Sequence, residues 1–99
     1  MAKRGELCLL AVREAAKAYA WYARRSTAAA AGFSVQVRIA LESIAERPES
    51  FPVHLFGTRR CLLKGYPYML VFREALDRIN VVAVAHGKRK PGYWRRRKP

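Results

Sequence analysis

Apolar positions along the chain follow two different rhythms. Leu7–Val12 (LCLLAV) is a short continuous apolar run, read most simply as a buried strand, although periodicity alone leaves the first turn of a helix open. From Arg13 the composition changes to REAAKAYAWYARR, rich in helix formers, with Ala15, Tyr19 and Tyr22 on one face and Ala16, Ala20 and Ala23 beside them. Ser26 and Thr27 then form a stop or a new N-cap before the alanine run 28–31, which is a connector or the start of a second helix. Phe33, Val37, Ala40, Leu41 and Ile44 recur at the three-and-four spacing of a core-facing stripe, and Pro48 ends it because the residue before a proline is pushed out of the helical region.

Beyond Pro52 the rhythm is that of strands. RCLLK (60–64), YMLVFR (68–73) and INVVAVAH (79–86) are β-branched, aromatic or leucine-rich, and turn-forming residues separate them. Connections this short predict antiparallel neighbours, and the third run, apolar on both faces, predicts the middle of the sheet. Tyr68 and Phe72 alternate onto one face as core residues, with Pro67 setting the turn before them. The predicted order is β-α-α-β-β-β, an α+β fold with a helical hairpin packed on a small antiparallel sheet.

Charge changes this picture more than length does. The 99 residues, 52% hydrophobic and 27% charged, fit a single domain over 1–99 with a basic, aromatic tail over 86–99. Twenty Lys and Arg stand against seven Asp and Glu, a formal charge of +13, which draws a protein towards polyanions or acidic proteins. From His86 onward Lys88, Arg89, Lys90, Arg95, Arg96, Arg97 and Lys98 have no acid among them. No stretch reaches the roughly 18 consecutive apolar residues of a membrane span, and the N-terminus lacks the long apolar core of a secretory signal, so a cytoplasmic location and no membrane partner are expected. Cys8 and Cys61, on separate predicted strands, have neither CxxC spacing nor a His at zinc-ligand spacing, so buried thiols are expected and no disulfide, metal site or cofactor.

The opening strand with its REAAKAYAWYARRS helix, the ALESIAERPESFP helix end, the GTRRCLLKGYPYMLVFRE hairpin core and the closing AVAHGKRKPGYWRRR together resemble the RelE/ParE superfamily of bacterial type II toxins, in its ParE-like, plasmid-stabilisation subgroup. The likeness spans about Leu7 to Arg97. It implies a small growth-inhibiting toxin silenced by a cognate acidic antitoxin. The cellular target it implies is DNA gyrase, as for ParE, or the ribosome and its mRNA, as for the ribonuclease RelE.

Ribonuclease chemistry of the RelE kind requires an activated 2'-hydroxyl, stabilisation of phosphorane charge and protonation of the leaving oxygen. By resemblance Lys64, Arg89 and Tyr93 fall near the catalytic arginines and tyrosine of such enzymes. The closely spaced lysines that precede this strand in RelE enzymes are replaced here by FPVHLFGTRR. Arg59 and Arg60 could replace them electrostatically, but a guanidinium stays protonated and is no general base. His54 titrates near neutrality yet reads as a surface or packing residue, and His86 as a hydrogen-bonding support for the tail. The missing lysines favour a non-catalytic, gyrase-binding toxin over the ribonuclease. A plain basic nucleic-acid-binding module is a further alternative, with steep salt dependence as its mark.

The candidate target- or nucleic-acid-binding set is Arg59, Arg60, Lys88, Arg89, Lys90, Trp94, Arg95, Arg96 and Arg97. Tyr93 and Trp94 among cations could stack on bases. The turn expected at Pro91–Gly92 instead directs Trp94 back towards the core as an anchor for the tail.

Overall fold

A computed structural model describes residues 3–98. Its elements are β1 (Arg4–Leu7), α1 (Leu9–Ala23), α2 (Thr27–Glu46), β2 (Arg59–Leu62), β3 (Tyr68–Glu74) and β4 (Arg78–His86), with single 3-10 turns at Pro48–Ser50 and Leu55–Gly57. The order β-α-α-β-β-β is the expected one.

The strands lie in the order β1-β4-β3-β2, which puts β4 in the interior of the sheet as its two-faced apolarity requires. β2, β3 and β4 are antiparallel neighbours, whereas β1 pairs with β4 in parallel, so the sheet is mixed rather than wholly antiparallel. Parallel partners need a long crossover, and here the helical hairpin and two strands intervene between β1 and β4.

The first strand also sits earlier than the apolar run suggests. RGEL pairs with β4, Cys8 is the extended N-cap of α1, and Leu9, Leu10 and Val12 lie on the helix with exposed side chains. A run of apolar residues therefore marks here a helix surface, not a buried strand. The backbone N–H of Cys8 still donates to Val81 O at 2.9 Å, which carries the parallel ladder up to the helix start. Cys8 and Cys61 are both buried thiols.

Ser26 accepts from Ala29 N at 3.1 Å and so caps α2, whose first residues are the alanine run. Phe33, Ala40 and Ile44 are buried on its inner face, and Val37 and Leu41 pack against the same core. That core joins both helices to one face of the sheet through Leu70, Phe72, Ile79, Val81 and Val84.

A bulge decides what happens on the opposite face. Val71 pairs with Ala83 and the next residue, Phe72, with Val81, so Val82 is the extra residue on β4. Val82 and Ala83 consequently both join Val71 and Ala85 in a second buried cluster. Trp94, at 0% exposure, roofs this cluster, with its ring stacked on His54 at 5.3 Å. The tail and the 53–59 loop thus cover the sheet face that the helices leave open.

Candidate target-binding surface

The tail is held at two points, each a side chain that gathers several backbone or charged groups. The first is Glu14 on α1. One of its oxygens accepts from Tyr93 Oη at 2.7 Å, and the other accepts from Arg97 at 2.8 Å and from Val84 N at 3.0 Å. Arg89 lies 3.4 Å from the same carboxylate, and its guanidinium carbon sits 3.7 Å from the centre of the Tyr93 ring. The second point is Arg73, which β3 directs to the tail face, where it donates to the carbonyls of Phe56, Arg95 and Arg97.

His86 begins the tail by accepting from Lys88 N through Nδ1 at 3.0 Å, a bond that leaves the proton of the neutral ring on Nε2. Gly92 then turns the chain with φ +89°, where an added Cβ would lie 2.6 Å from the Phe56 ring.

Facing the tail is a tight turn. His54 N donates to Thr58 O at 2.7 Å, Thr58 N to Leu55 O at 3.3 Å, and Val53 bridges Arg59. Phe56 (φ 57°, ψ 44°) and Gly57 (φ 71°) are both left-handed. Such turns favour Asn-Gly, because a left-handed L-residue with a bulky side chain costs about 1–2 kcal/mol. Phe56 is nonetheless 51% exposed, with Val53 and Leu55 also exposed beside it.

The residues expected to act together divide into separate groups. Lys64 is exposed just past β2 and lines a groove of about 220 Å³ with Gln36, Ile39 and Phe51. Arg89 and Tyr93 meet instead at Glu14. Burial first, then the hydrogen bond and charge of Glu14, raise the Tyr93 phenol well above its ordinary value, so its proton is held rather than offered. His54 is shifted downward by burial and then by the Arg60 charge, which keeps it neutral against Trp94.

Within the binding set, Arg97 is 14% exposed in its ion pair with Glu14, and Arg59 donates to Phe51 O at 2.6 Å. The Nε of Arg60 is buried. Trp94 has no free face to offer a partner. Lys88, Lys90, Arg95 and Arg96 are exposed and form no ion pair among the described residues. Lys90, Arg95 and Arg96 line a cavity of about 400 Å³ together with Phe56, Pro91, Gly92 and Tyr93.

Glu14, Arg73 and Phe56 were invisible to sequence reasoning. The clue to Glu14 is that it is the only acid between Glu6 and Glu42, and the clue to Arg73 is its place on the alternation Met69, Val71, Arg73. No group of three or more His, Cys, Asp or Glu able to hold a metal ion occurs among the described residues.

A helical hairpin thus lies on one face of a four-stranded mixed sheet, with a basic tail folded over the other. This fold is similar to a solved structure described as the chromosomal ParDE TA system from P. aeruginosa, with a TM-score of 0.74 and 14% identity over 85% of this chain and 95% of that one. Residues 7–91 match the family described as the ParE toxin of the type II toxin-antitoxin system, parDE, and the chain belongs to that family. It is a ParE-like toxin component of a type II toxin-antitoxin system, and the family implies an antitoxin partner. No curated protein matches the chain. The family match ends at Pro91, so Gly92–Lys98, with Tyr93, Trp94 and the last arginines, lies beyond it.

Proposed function

We propose that this toxin is non-catalytic and arrests growth in the cytoplasm by binding DNA gyrase through the cationic surface formed by the tail and the 53–59 turn. The observation that carries this reading is the Glu14 clamp. A ribonuclease of the RelE kind needs a phenol free to move a proton and cations converging on one phosphodiester. Here the Tyr93 hydroxyl donates to a carboxylate, Arg97 is paired with that carboxylate, and Lys64 lines a different groove. A clamp of this kind supports a rigid binding surface. Among the described residues no helix is long and apolar enough to cross a membrane.

The antitoxin in this reading is an acidic segment that orders on contact. Supporting that, α1 exposes Leu9, Val12, Ala16, Tyr19 and Ala23 at heptad-like spacing, above a groove of about 240 Å³ shared with Phe33 and Val37 of α2. β2 is an edge strand with Leu62 69% exposed. An amphipathic acidic helix suits the first surface and an extended segment the second.

Expression of the chain alone is expected to stop growth, and co-expression of an acidic partner to restore it. Primer extension on translated messages from the arrested cells is expected to show no cuts in codon register. Such cuts would establish the ribonuclease in place of the binding toxin.

A further inference from the structure

We infer that Phe56 is the apolar centre of the target-binding surface, and that the partner it fits is an acidic protein surface with an apolar recess. This rests on reading the chain as a target-binding toxin and names the residue on which that binding turns.

Three independent observations converge on Phe56. It is the one non-glycine residue at positive φ among the described residues, in a turn where Asn would fit without strain. Strained backbone persists where the surroundings impose it, and here they do: Arg73 holds the Phe56 carbonyl, and the Thr58 hydroxyl donates to Leu55 O at 2.6 Å. The ring packs one edge against Gly92, yet the residue remains 51% exposed.

Its surroundings have the layout of a binding hot spot, an apolar centre inside a polar rim. Val53 and Leu55 extend the apolar patch at 72% and 43% exposure, and Lys90, Arg95 and Arg96 border it. Among the residues lining the cavity beside it there is no acid. Charge complementarity therefore selects an anionic partner.

A protein suits this surface better than a nucleic-acid strand does. Single strands are bound by successive free rings on which successive bases stack. Here Arg89 stands over the Tyr93 ring and Trp94 is buried, so there is no succession of free rings, and Phe56, with Arg95 5.6 Å from its ring centre, is the most exposed ring of the tail surface.

Full-length Phe56→Asn and Phe56→Tyr proteins test the inference. Asn removes the ring and relieves the turn, so its thermal midpoint is expected to equal or exceed that of the wild type, by up to roughly 4–8 °C. Its affinity for purified gyrase is expected to fall about 30-fold, and its growth arrest to fall with it. Phe56→Tyr keeps the ring and is expected to behave as wild type.

A Phe56→Asn protein that arrests growth fully, or one that melts well below wild type, would overturn the assignment. Wild-type toxin that arrests growth without binding gyrase, beside an inactive Phe56→Asn, would overturn the gyrase reading and support the role of Phe56. Equal inhibition of gyrase by both would remove Phe56 and keep the gyrase reading. A single-stranded oligonucleotide bound at physiological salt by the wild type and not by Phe56→Asn would overturn the assignment to a protein partner.

Discussion

Glu14 shows how one side chain can tie the two ends of a chain together. Its carboxylate has 13% exposure and receives hydrogen bonds from residues 70, 79 and 83 positions away. Removing it by Glu14→Ala leaves the Arg97 guanidinium buried without its counter-ion, and breaking such a pair costs about 3 kcal/mol, read as a lower urea midpoint. Tyr93 adds a pH dependence. Its folded-state pKa lies above the ordinary 10.0, so the folded chain holds the proton more tightly than the unfolded one. The stabilisation is complete below pH 10 and is lost as pH rises through the folded value. Tyr22 and Tyr68 are shifted in the same direction by burial, so wild-type stability is expected to fall in alkali, and Tyr93→Phe to fall less steeply. Neither feature was legible in sequence. Glu14 sits in an ordinary helix-forming stretch and its partners are distant, whereas the Ser26 cap and the Pro48 stop are local chemistry and could be read directly.

At the scale of elements, sequence patterning succeeds where burial follows it and misleads where burial does not. The α2 stripe, the central position of β4 and the hairpin strands were legible because alternation and three-and-four spacing coincide with what is buried. LCLLAV misled because three of its apolar side chains are left on the outside of α1. RGEL, with a glycine and two charges, carries little strand propensity and is a strand because β4 offers it a parallel edge. The bulge at Val82 is equally silent in sequence, yet it turns two successive residues towards the tail. Trp94 is the anchor that this arrangement prepares. Trp94→Ala opens a cavity over Val71, Val82 and Ala85 and is expected to cost about 3–5 kcal/mol by chemical denaturation. Dye binding by the exposed sheet face is expected to accompany the loss.

For the whole molecule, the excess of cations was legible at once, but its division into structural and exposed members was not. Arg73 and Arg97 build the platform, while Lys88, Lys90, Arg95 and Arg96 remain exposed on it. The same tail whose Arg89 and Tyr93 fall by resemblance near the catalytic residues of a ribonuclease is, in three dimensions, the cover of a second small core. The distinction between a catalyst and a binder lies in whether the Tyr93 hydroxyl takes part in the toxin's action or only in its folding. The most direct test is inhibition of purified gyrase supercoiling, titrated with wild-type toxin and with Tyr93→Phe. Inhibition by both proteins at near-stoichiometric amounts, reversed by the antitoxin, is the expected result. Supercoiling unaffected by either, with growth arrest abolished by Tyr93→Phe alone, would contradict it.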